Sequence, residues 1–307
     1  MNSALNLREI PQHETMYMLI GWRQWADAGS ISSGLPKYLA QETNARKIGT
    51  IKPDGFYIFQ FPGTHDLARP VVRFEDGYPV TLETPHNDIY YSEVDGNGIV
   101  YVIGDEPHMD VERYIGAILD LAQELNVKRL VGFGGVFAEV PYDKHRMISS
   151  TYSMRSLKPE IDKLMVNLSD YHGGAAIGSI LSKRASERNM EYISFYAFVP
   201  TYNLGQFTAL ENTLRLENDF MAWLDVMRRV NYFLKTRFDL TELESKTEQL
   251  IEVLNRKVQE LQDLSSSDIR DYFELLSEEF EEEIFDPLDD VWESELKRLL
   301  DDDDSAD

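Results

Sequence analysis

The segment from Gly98 to Phe133, GIVYVIGDEPHMDVERYIGAILDLAQELNVKRLVGF, determines the fold class of this protein. It starts with an apolar run, Gly98–Gly104, that is typical of a buried strand. Val111–Leu125 then places apolar residues at helical spacing, with Asp110 as its N-cap. Arg129–Phe133 is a second strand-like run. Strand, helix and strand in this order predict a parallel βαβ unit.

The same alternation runs through the first two thirds of the chain and predicts a three-layer α/β/α sandwich. Further strands are expected at Met16–Gly21, Gly55–Phe61, Val71–Phe74, Asp88–Val94, Met147–Ser153 and Tyr192–Val199. Helices are expected at Gly34–Ala40, with Ser30 and Ser32 as caps, and at Ala175–Asn189. The stretch from Gly55 to Gly104 is interpreted as a more antiparallel part of the sheet.

Helical patterns replace this alternation after Leu204. Gln206–Phe238 contains no glycine or proline and is expected to form one long helix. From Leu243, apolar residues recur at spacings of four and three, with polar interruptions at Thr247 and Lys257. We expect three regions: an α/β/α core domain at 1–204, a helical hairpin extension packing on it at 205–264, and an acidic C-terminal helix with a disordered tail at 265–307.

The net charge of −24 is concentrated at one end of the chain. From Asp263 to Asp307 there are 19 acidic and 3 basic residues. This charge would repel nucleic acids and anionic membranes, so neither is expected as a partner. The chain has no cysteine and no apolar run of about 18 residues, and we expect a cytoplasmic protein without disulfides.

Known catalytic and nucleotide-binding patterns are not found in the sequence. The glycine-rich stretch Gly132–Val140 lacks the dinucleotide and P-loop spacings, so it is interpreted as a tight turn more readily than as a phosphate cradle. The six histidines form no pair at metal-binding spacing. His65 and Asp66 are adjacent, but no nucleophile elbow accompanies them. We therefore assign no catalytic residue, metal or cofactor.

Polar residues and glycines at the expected strand ends form a candidate ligand pocket: Asp27, Gly29, Arg69, Gly134, Gly135, Glu139, Arg146 and Tyr202. The two arginines, each near carboxylates, either clamp an anionic ligand or form structural salt bridges. The stretch GWRQWADAGS, Gly21–Ser30, adds Trp22 and Trp25, which pack locally or anchor a subunit interface.

Several motifs in a fixed order resemble those of the proteasome assembly chaperone family, specifically the archaeal and bacterial branch of its second-chaperone type. They are WADAGS at Trp25–Ser30, Arg69-Pro70, VIGDEPHMD at Val102–Asp110, GFGGVFAEVPYDKHR at Gly132–Arg146, and GGAAIGSILSKRASERNMEYISFYAFVPTYN at Gly173–Asn203. The resemblance covers about residues 8–240.

This resemblance implies a fold similar to that of phosphorylases and nucleoside hydrolases, self-association into trimers or other homo-oligomers, and a chaperone or scaffold role. By position, the family's Asp-Ala-Gly turn falls on Asp27, Ala28 and Gly29, and its glycine pair and the following proline and arginine fall on Gly134, Gly135, Pro141 and Arg146. Two departures stand out: Thr201 replaces the family's histidine before Tyr202, and the chain ends in Ser305-Ala306-Asp307 instead of a hydrophobic-Tyr-any tripeptide.

Two hypotheses follow. The favoured one is an assembly-chaperone-like scaffold that self-associates and binds a protein client, without catalysis. The alternative is an enzyme or binding protein that holds a nucleotide or phosphorylated ligand in the strand-end pocket.

Overall fold

A computed structural model of the protein describes residues 3–60, 69–203, 213–264 and 268–285. Within these residues, one sheet contains β1 Leu5–Leu7, β2 Met16–Arg23, β3 Arg46–Ile51, β6 Asn87–Val94, β7 Asn97–Asp105, β8 Val127–Ala138, β9 Ile148–Tyr152, β10 Asn167–Leu168, β11 Glu191–Asn203 and β12 Thr213–Arg215. Its order is β1-β3-β6-β7-β2-β8-β11-β9-β10, and β12 also pairs with β11. Two other strands, β4 Val71–Glu75 and β5 Tyr78–Glu83, form a separate two-stranded ribbon.

The centre of the sheet is parallel and confirms the βαβ unit. β7 and β8 both pair in parallel with β2, which lies between them, and helix α2, Val111–Glu124, connects the two. β11 extends the parallel set beyond β8. On the other side, β6 pairs antiparallel with both β7 and β3, which confirms the antiparallel part of the sheet for residues 87–104. The strand expected at Val71–Phe74 is also antiparallel, but it lies in the separate ribbon and not in this sheet.

Helices cover both faces of the sheet, because successive side chains of its strands point to opposite faces. Tyr17 and Leu19 of β2 share one apolar cluster with α1 (Gly34–Glu42), the short α3 (Lys158–Ile161), α5 (Phe220–Leu234) and α6 (Thr241–Leu264). Met18 and Ile20 pack with α2 and α4 (Ile177–Glu187). The three-layer α/β/α fold is therefore confirmed. No helix among the described residues is long and apolar enough to cross a membrane.

The single long helix expected at Gln206–Phe238 is wrong. Residues 204–212 lie outside the described part of the chain, Thr213–Arg215 is the strand β12, and α5 begins only at Phe220. The Asp219 carboxylate marks this start, since it accepts a hydrogen bond from the backbone N–H of Ala222 at 3.1 Å. The prediction relied on helix propensity, which is only a small local preference for the helical state. Pairing with β11 outweighs this preference and makes residues 213–215 a strand.

The strand expected at Gly55–Phe61 is also wrong over the residues that the structure describes. Residues 55–60 form a turn and a loop, and Phe61 lies outside the described part. Phe56 packs edge-on against Tyr114 of α2, with ring centroids 5.2 Å apart. The apolar character of this stretch therefore comes from packing in a loop. The strands β1, β3, β5 and β10 were not predicted.

The apolar seam of α6 is confirmed in its first half and shifts in its second. Leu243, Thr247 and Leu254 are buried, but Lys257 is exposed and Val258 is buried in its place. A straight α-helix has 3.6 residues per turn, so its buried stripe drifts by about 20° per heptad from a strict seven-residue repeat. A further helix, α7, spans Asp268–Glu278. The expected disordered tail falls largely on residues 286–307, outside the described residues.

The segment after α7 returns to the core beside the loop that follows β8. The backbone N–H of His145 donates to Glu282 at 2.8 Å, and the Lys144 ammonium lies 3.3 Å from the other oxygen of that carboxylate. Phe285 is buried edge-on against Tyr232. These polar and apolar contacts together hold the segment after α7 against the core.

The His145 ring is a pH-sensitive part of the same contact. Its Nδ1 lies 2.7 Å from the nearly buried carboxylate of Asp225. This hydrogen bond raises the pKa of His145, against a smaller opposing effect of burial. The protonated ring is therefore favoured in the folded protein.

We predict that this contact loses stability as the pH rises through the raised pKa of His145. A histidine with a folded-state pKa above its unfolded value stabilises the fold fully below the unfolded pKa, and the gain disappears above the folded one. Melting temperatures of the wild type should therefore fall more steeply than those of His145→Gln as the pH rises above the ordinary histidine pKa of about 6.5. Parallel slopes for the two proteins would contradict this prediction.

Candidate functional site

The candidate site lies beyond the carboxyl ends of β2 and β8. After β2 the chain continues through α1 to β3 on one side of the sheet, whereas after β8 it continues to β9 on the other. Neighbouring parallel strands whose connections diverge leave a crevice, which is the usual ligand position in open α/β sheets. A cavity of about 750 Å³ lies here and extends along β9 and β11 to α4.

Asp27 lies in the loop after β2 and lines the cavity. Its carboxylate also caps the start of α1 through Ser33. One carboxylate oxygen accepts the backbone N–H of Ser33 at 2.9 Å, and the other accepts the Ser33 hydroxyl at 2.6 Å. This corrects the expectation that Ser30 and Ser32 cap the helix. The Ser32 hydroxyl instead accepts the backbone N–H of Trp22, and the Ser30 hydroxyl donates to the Glu217 carbonyl. An aspartate six residues ahead of its partner was not recognised as a cap.

The Asp27 carboxylate is partly buried. Burial raises the pKa of Asp27, although the hydrogen bonds from Ser33 act in the opposite direction. Arg23 is close enough to favour the ionised form, but its guanidinium is bound by both oxygens of Asp105, at 2.7 and 3.0 Å. Among the described residues, no ion pair neutralises Asp27.

The glycines of β8 permit close packing around the site. A Cβ on Gly135 would lie 2.0 Å from the Ala28 carbonyl oxygen, and one on Gly134 would lie 2.4 Å from the Tyr196 ring. The Gly135 N–H donates to the Ala26 carbonyl at 2.7 Å and is not free to bind a phosphate. Gly29, with a φ of 61°, lies behind the cavity wall, where a Cβ would approach Asp219. The tight-turn interpretation of Gly132–Val140 is wrong for most of this stretch, because Gly134 and Gly135 lie within the strand β8, which continues to Ala138 and pairs with β11.

Arg146 does not line the cavity, although the sequence placed it in the candidate pocket. It is 1% exposed and its guanidinium bonds the Asp219 carboxylate, which is also fully buried, at 2.8 and 3.3 Å. Its remaining N–H groups donate to the carbonyls of Pro141, Tyr142 and Lys144. An arginine held by this many protein acceptors is a structural residue. Of the two interpretations left open for Arg146, the structure supports the salt bridge.

Three other expected pocket residues also lie away from the cavity. The buried Tyr202 donates its hydroxyl to the Val140 carbonyl at 2.5 Å, and Glu139 is exposed beside Tyr272 of α7. Arg69 is exposed and donates to the Gln60 side chain at 2.6 Å. The structure thus brings Asp27 and Gly135 to the cavity, whereas their chain neighbours Gly29 and Gly134 do not line it.

The two tryptophans of the opening loop have different environments. Trp22 is buried and its indole N–H donates to the Tyr114 hydroxyl at 2.9 Å. It packs within the chain, which corrects its assignment as a candidate interface residue. Trp25 is 65% exposed and stands at the edge of the cavity. A subunit contact through Trp25 stays a prediction.

The cavity lining is apolar with scattered hydroxyl groups. Its polar side chains include Ser149, Thr151, Ser179 and Ser182, and the only carboxylate that the described residues contribute is that of Asp27. No lysine, arginine or histidine of the described residues lines it. Among the described residues, the cavity therefore lacks the cationic clamp of the phosphate hypothesis. In the described part of the chain, no three histidine or carboxylate side chains are arranged to hold a metal ion.

The ribbon of β4 and β5 is a second candidate surface, which the sequence reasoning missed. Every residue of both strands is exposed, including six large apolar or aromatic ones: Val71, Val72, Phe74, Tyr78, Val80 and Leu82. The alternation of apolar residues after Asp76-Gly77, a dipeptide favoured in hairpin turns, is the signal that predicts such a ribbon.

Solved structures share this fold over most of the chain. A PAC2 family protein of Streptomyces avermitilis superposes with a TM-score of 0.67 at 22% identity, covering 84% of this chain and 99% of that one. A proteasome-assembly chaperone homologue of Mycobacterium tuberculosis gives 0.68 at 21% identity with the same coverage. PbaB of Pyrococcus furiosus, an archaeal proteasome activator, gives 0.58 at 20% identity, covering 83% and 98%.

The fold and the site define an α/β/α protein with a cavity at the switch point of its sheet. The model of the PAC2 family matches residues 22–258. This chain belongs to the PAC2 family, and its resemblance to proteasome assembly chaperones is confirmed. Among curated proteins, no match is found.

We predict that Arg146→Met lowers the free energy of unfolding by about 3–5 kcal/mol, because it leaves the Asp219 carboxylate buried without its partner. Urea unfolding followed by circular dichroism measures this loss. The matched control is Arg188→Met, which removes an exposed pair with Asp120 and should cost at most about 1 kcal/mol. Equal losses in the two variants would contradict the structural role of Arg146.

Proposed function

We propose that this protein is an assembly-chaperone-like scaffold of the cytoplasm that self-associates and binds a protein partner. Family membership and the names of its structural neighbours support the chaperone role. The exposed ribbon of β4 and β5 is the observation that carries the proposal. In this view, residues 1–204 form the core domain, 205–264 a helical extension on it, and 265–307 an acidic segment that engages the partner.

The ribbon has one apolar face that nothing in the described part of the chain covers. Val72 and Leu82 are direct cross-strand partners, and Val80 lies on the same face as Leu82, two residues earlier. The opposite face is more polar, with Arg73 paired to Thr81. The ribbon is therefore amphipathic, like a strand pair in which one side packs on another surface.

An isolated two-stranded ribbon is only marginally stable in water, because it buries too little apolar surface. Covering each large apolar side chain contributes about 1.5–3 kcal/mol, so docking the ribbon stabilises both the ribbon and the assembly. A second copy of the chain is always present in a solution of the protein, so it is always available to cover the ribbon. We therefore assign the ribbon to the homo-oligomer, in which each copy contributes the same surface.

A charge on the apolar face of the ribbon should dissociate the oligomer. We predict that Val72→Glu lowers the mass measured by size-exclusion chromatography with light scattering to that of one chain, because a buried carboxylate without a partner opposes docking. The variant should keep the circular dichroism spectrum of the wild type, since the ribbon lies outside the main sheet.

The matched control is Thr81→Glu, which adds the same charge to the opposite, more polar face and should leave the mass unchanged. A wild type with the mass of one chain at all concentrations would contradict self-association. An oligomer that survives Val72→Glu would place the interface elsewhere.

The partner is expected to present a basic surface. The net charge of −24, with 19 acidic residues between Asp263 and Asp307, favours such a surface by electrostatic steering. Because the neighbours from M. tuberculosis and P. furiosus are named for the proteasome, we propose a subunit of a proteasome or of another multi-subunit assembly as the client.

We predict that the full chain captures a stoichiometric protein partner from its native lysate at low salt and releases it at about 0.5 M salt, where exposed charges are screened. A chain ending at residue 285 keeps the described structure and should capture less. A full-length control with the acids of residues 286–307 changed to amides separates charge from length. Capture that is insensitive to salt and to these changes would contradict an electrostatic contact.

A further inference from the structure

The charge balance of the cavity points to a ligand class that neither the family nor the scaffold proposal assigns. Its lining contains the carboxylate of Asp27 and, among the described residues, no basic side chain. This carboxylate accepts two hydrogen bonds from Ser33 and interacts with the backbone N–H of Ser32, whereas its two oxygens together accept about four. A place for a further donor therefore remains. Ser33 fixes the orientation of the carboxylate before a ligand arrives.

Aromatic rings from four different parts of the chain line the same cavity as this carboxylate: Trp25 after β2, Phe137 at the end of β8, Tyr196 and Phe198 on β11, and Tyr171 between β10 and α4. The faces of aromatic rings attract cations, and several rings together form the usual cage for organic ammonium groups. Trp25 and Tyr171 are 65% and 71% exposed, which leaves large apolar surfaces open at the rim.

We propose that this cavity binds a small organic cation, an aryl or alkyl amine whose ammonium group pairs with Asp27 and whose apolar body packs on these rings. The volume of about 750 Å³ suits such a molecule, because pockets for small ligands usually measure about 300–1,000 Å³. The hydroxyls of Ser149 and Thr151 also line the cavity and provide hydrogen-bonding groups for polar substituents.

Two protein cations near the site do not fill it. Arg23 is held by Asp105 through two hydrogen bonds. Arg215 lies over the Phe137 ring, 5.1 Å from its centroid, and is not part of the cavity lining. The Phe137 ring therefore already binds one cation in the folded protein, and the carboxylate inside the cavity keeps its own charge unmatched.

Proton linkage gives the proposal a second signature. Because burial raises the pKa of Asp27, a part of the population is protonated as the pH falls toward that raised value. A bound ammonium group favours the ionised carboxylate and lowers the pKa again. Binding therefore releases protons, and the affinity for a cation decreases with decreasing pH.

The test compares three probes that share one ring system and differ in charge: tryptamine, tryptophol and indole-3-acetate. Isothermal titration calorimetry of the full chain should show tryptamine binding at least tenfold more tightly than the neutral alcohol and the anion. Titrations in two buffers of different ionisation enthalpy should show proton release for tryptamine alone.

Asp27→Asn keeps the size of the side chain and its ability to cap α1, and it should reduce tryptamine affinity at least tenfold with no change for tryptophol. Trp25→Ala should weaken both probes. The matched aromatic control, Phe59→Ala, removes a similarly exposed ring that does not line the cavity and should change neither.

Three results would overturn the proposal. They are no tryptamine binding up to about 5 mM, tighter binding of indole-3-acetate than of tryptamine, and a tryptamine affinity that Asp27→Asn leaves intact. The melting temperature of each variant without probe separates a lost site from a lost fold.

Discussion

The buried pair of Arg146 and Asp219 is the interaction on which the rest of the structure depends. Its two side chains are withdrawn from water, which is costly unless every donor and acceptor is matched. Arg146 bonds three carbonyls of its own loop after β8, and Asp219 caps α5 through Ala222. The backbone N–H of Asp219 also donates to the Gly29 carbonyl, as does the indole of Trp223. One pair thus joins the ends of β2 and β8 to the first turn of α5.

This arrangement separates structural residues from surfaces available for function. Arg146 and Gly29, which belong to the motifs that resemble those of the family, are structural residues. They hold in place the loops that contain Asp27 and Trp25. Two surfaces remain available for function: a cavity with one carboxylate from the described residues, and a ribbon with one uncovered apolar face. We propose a small cation for the first and a protein surface for the second.

The sequence predicted elements best where one physical pattern dominated. The βαβ unit from Gly98 to Phe133 was correct because its two apolar runs fit strands buried on both faces, and the helical spacing between them fits a helix that packs one face on the sheet. The helix expected from Gln206 failed because residues 213–215 pair with β11, and helical spacing in the sequence does not reveal this strand partner. In the site, Asp27 and Gly135 were found from their place after strands. Arg146 was misplaced, because its partner Asp219 lies 73 residues away and cannot be recognised from spacing.

Hydrogen exchange measured at several protein concentrations tests the central claim, that the ribbon of β4 and β5 is covered by a second copy of the chain. Docking should protect the amides at the two outer edges of the ribbon and keep solvent from its apolar face. The amides of β2 and β8 are already protected within the sheet of each chain. The account predicts that protection of residues 71–83 rises with concentration while protection of β2 and β8 stays constant. Unchanged exchange of the ribbon across the range in which the mass increases would contradict it.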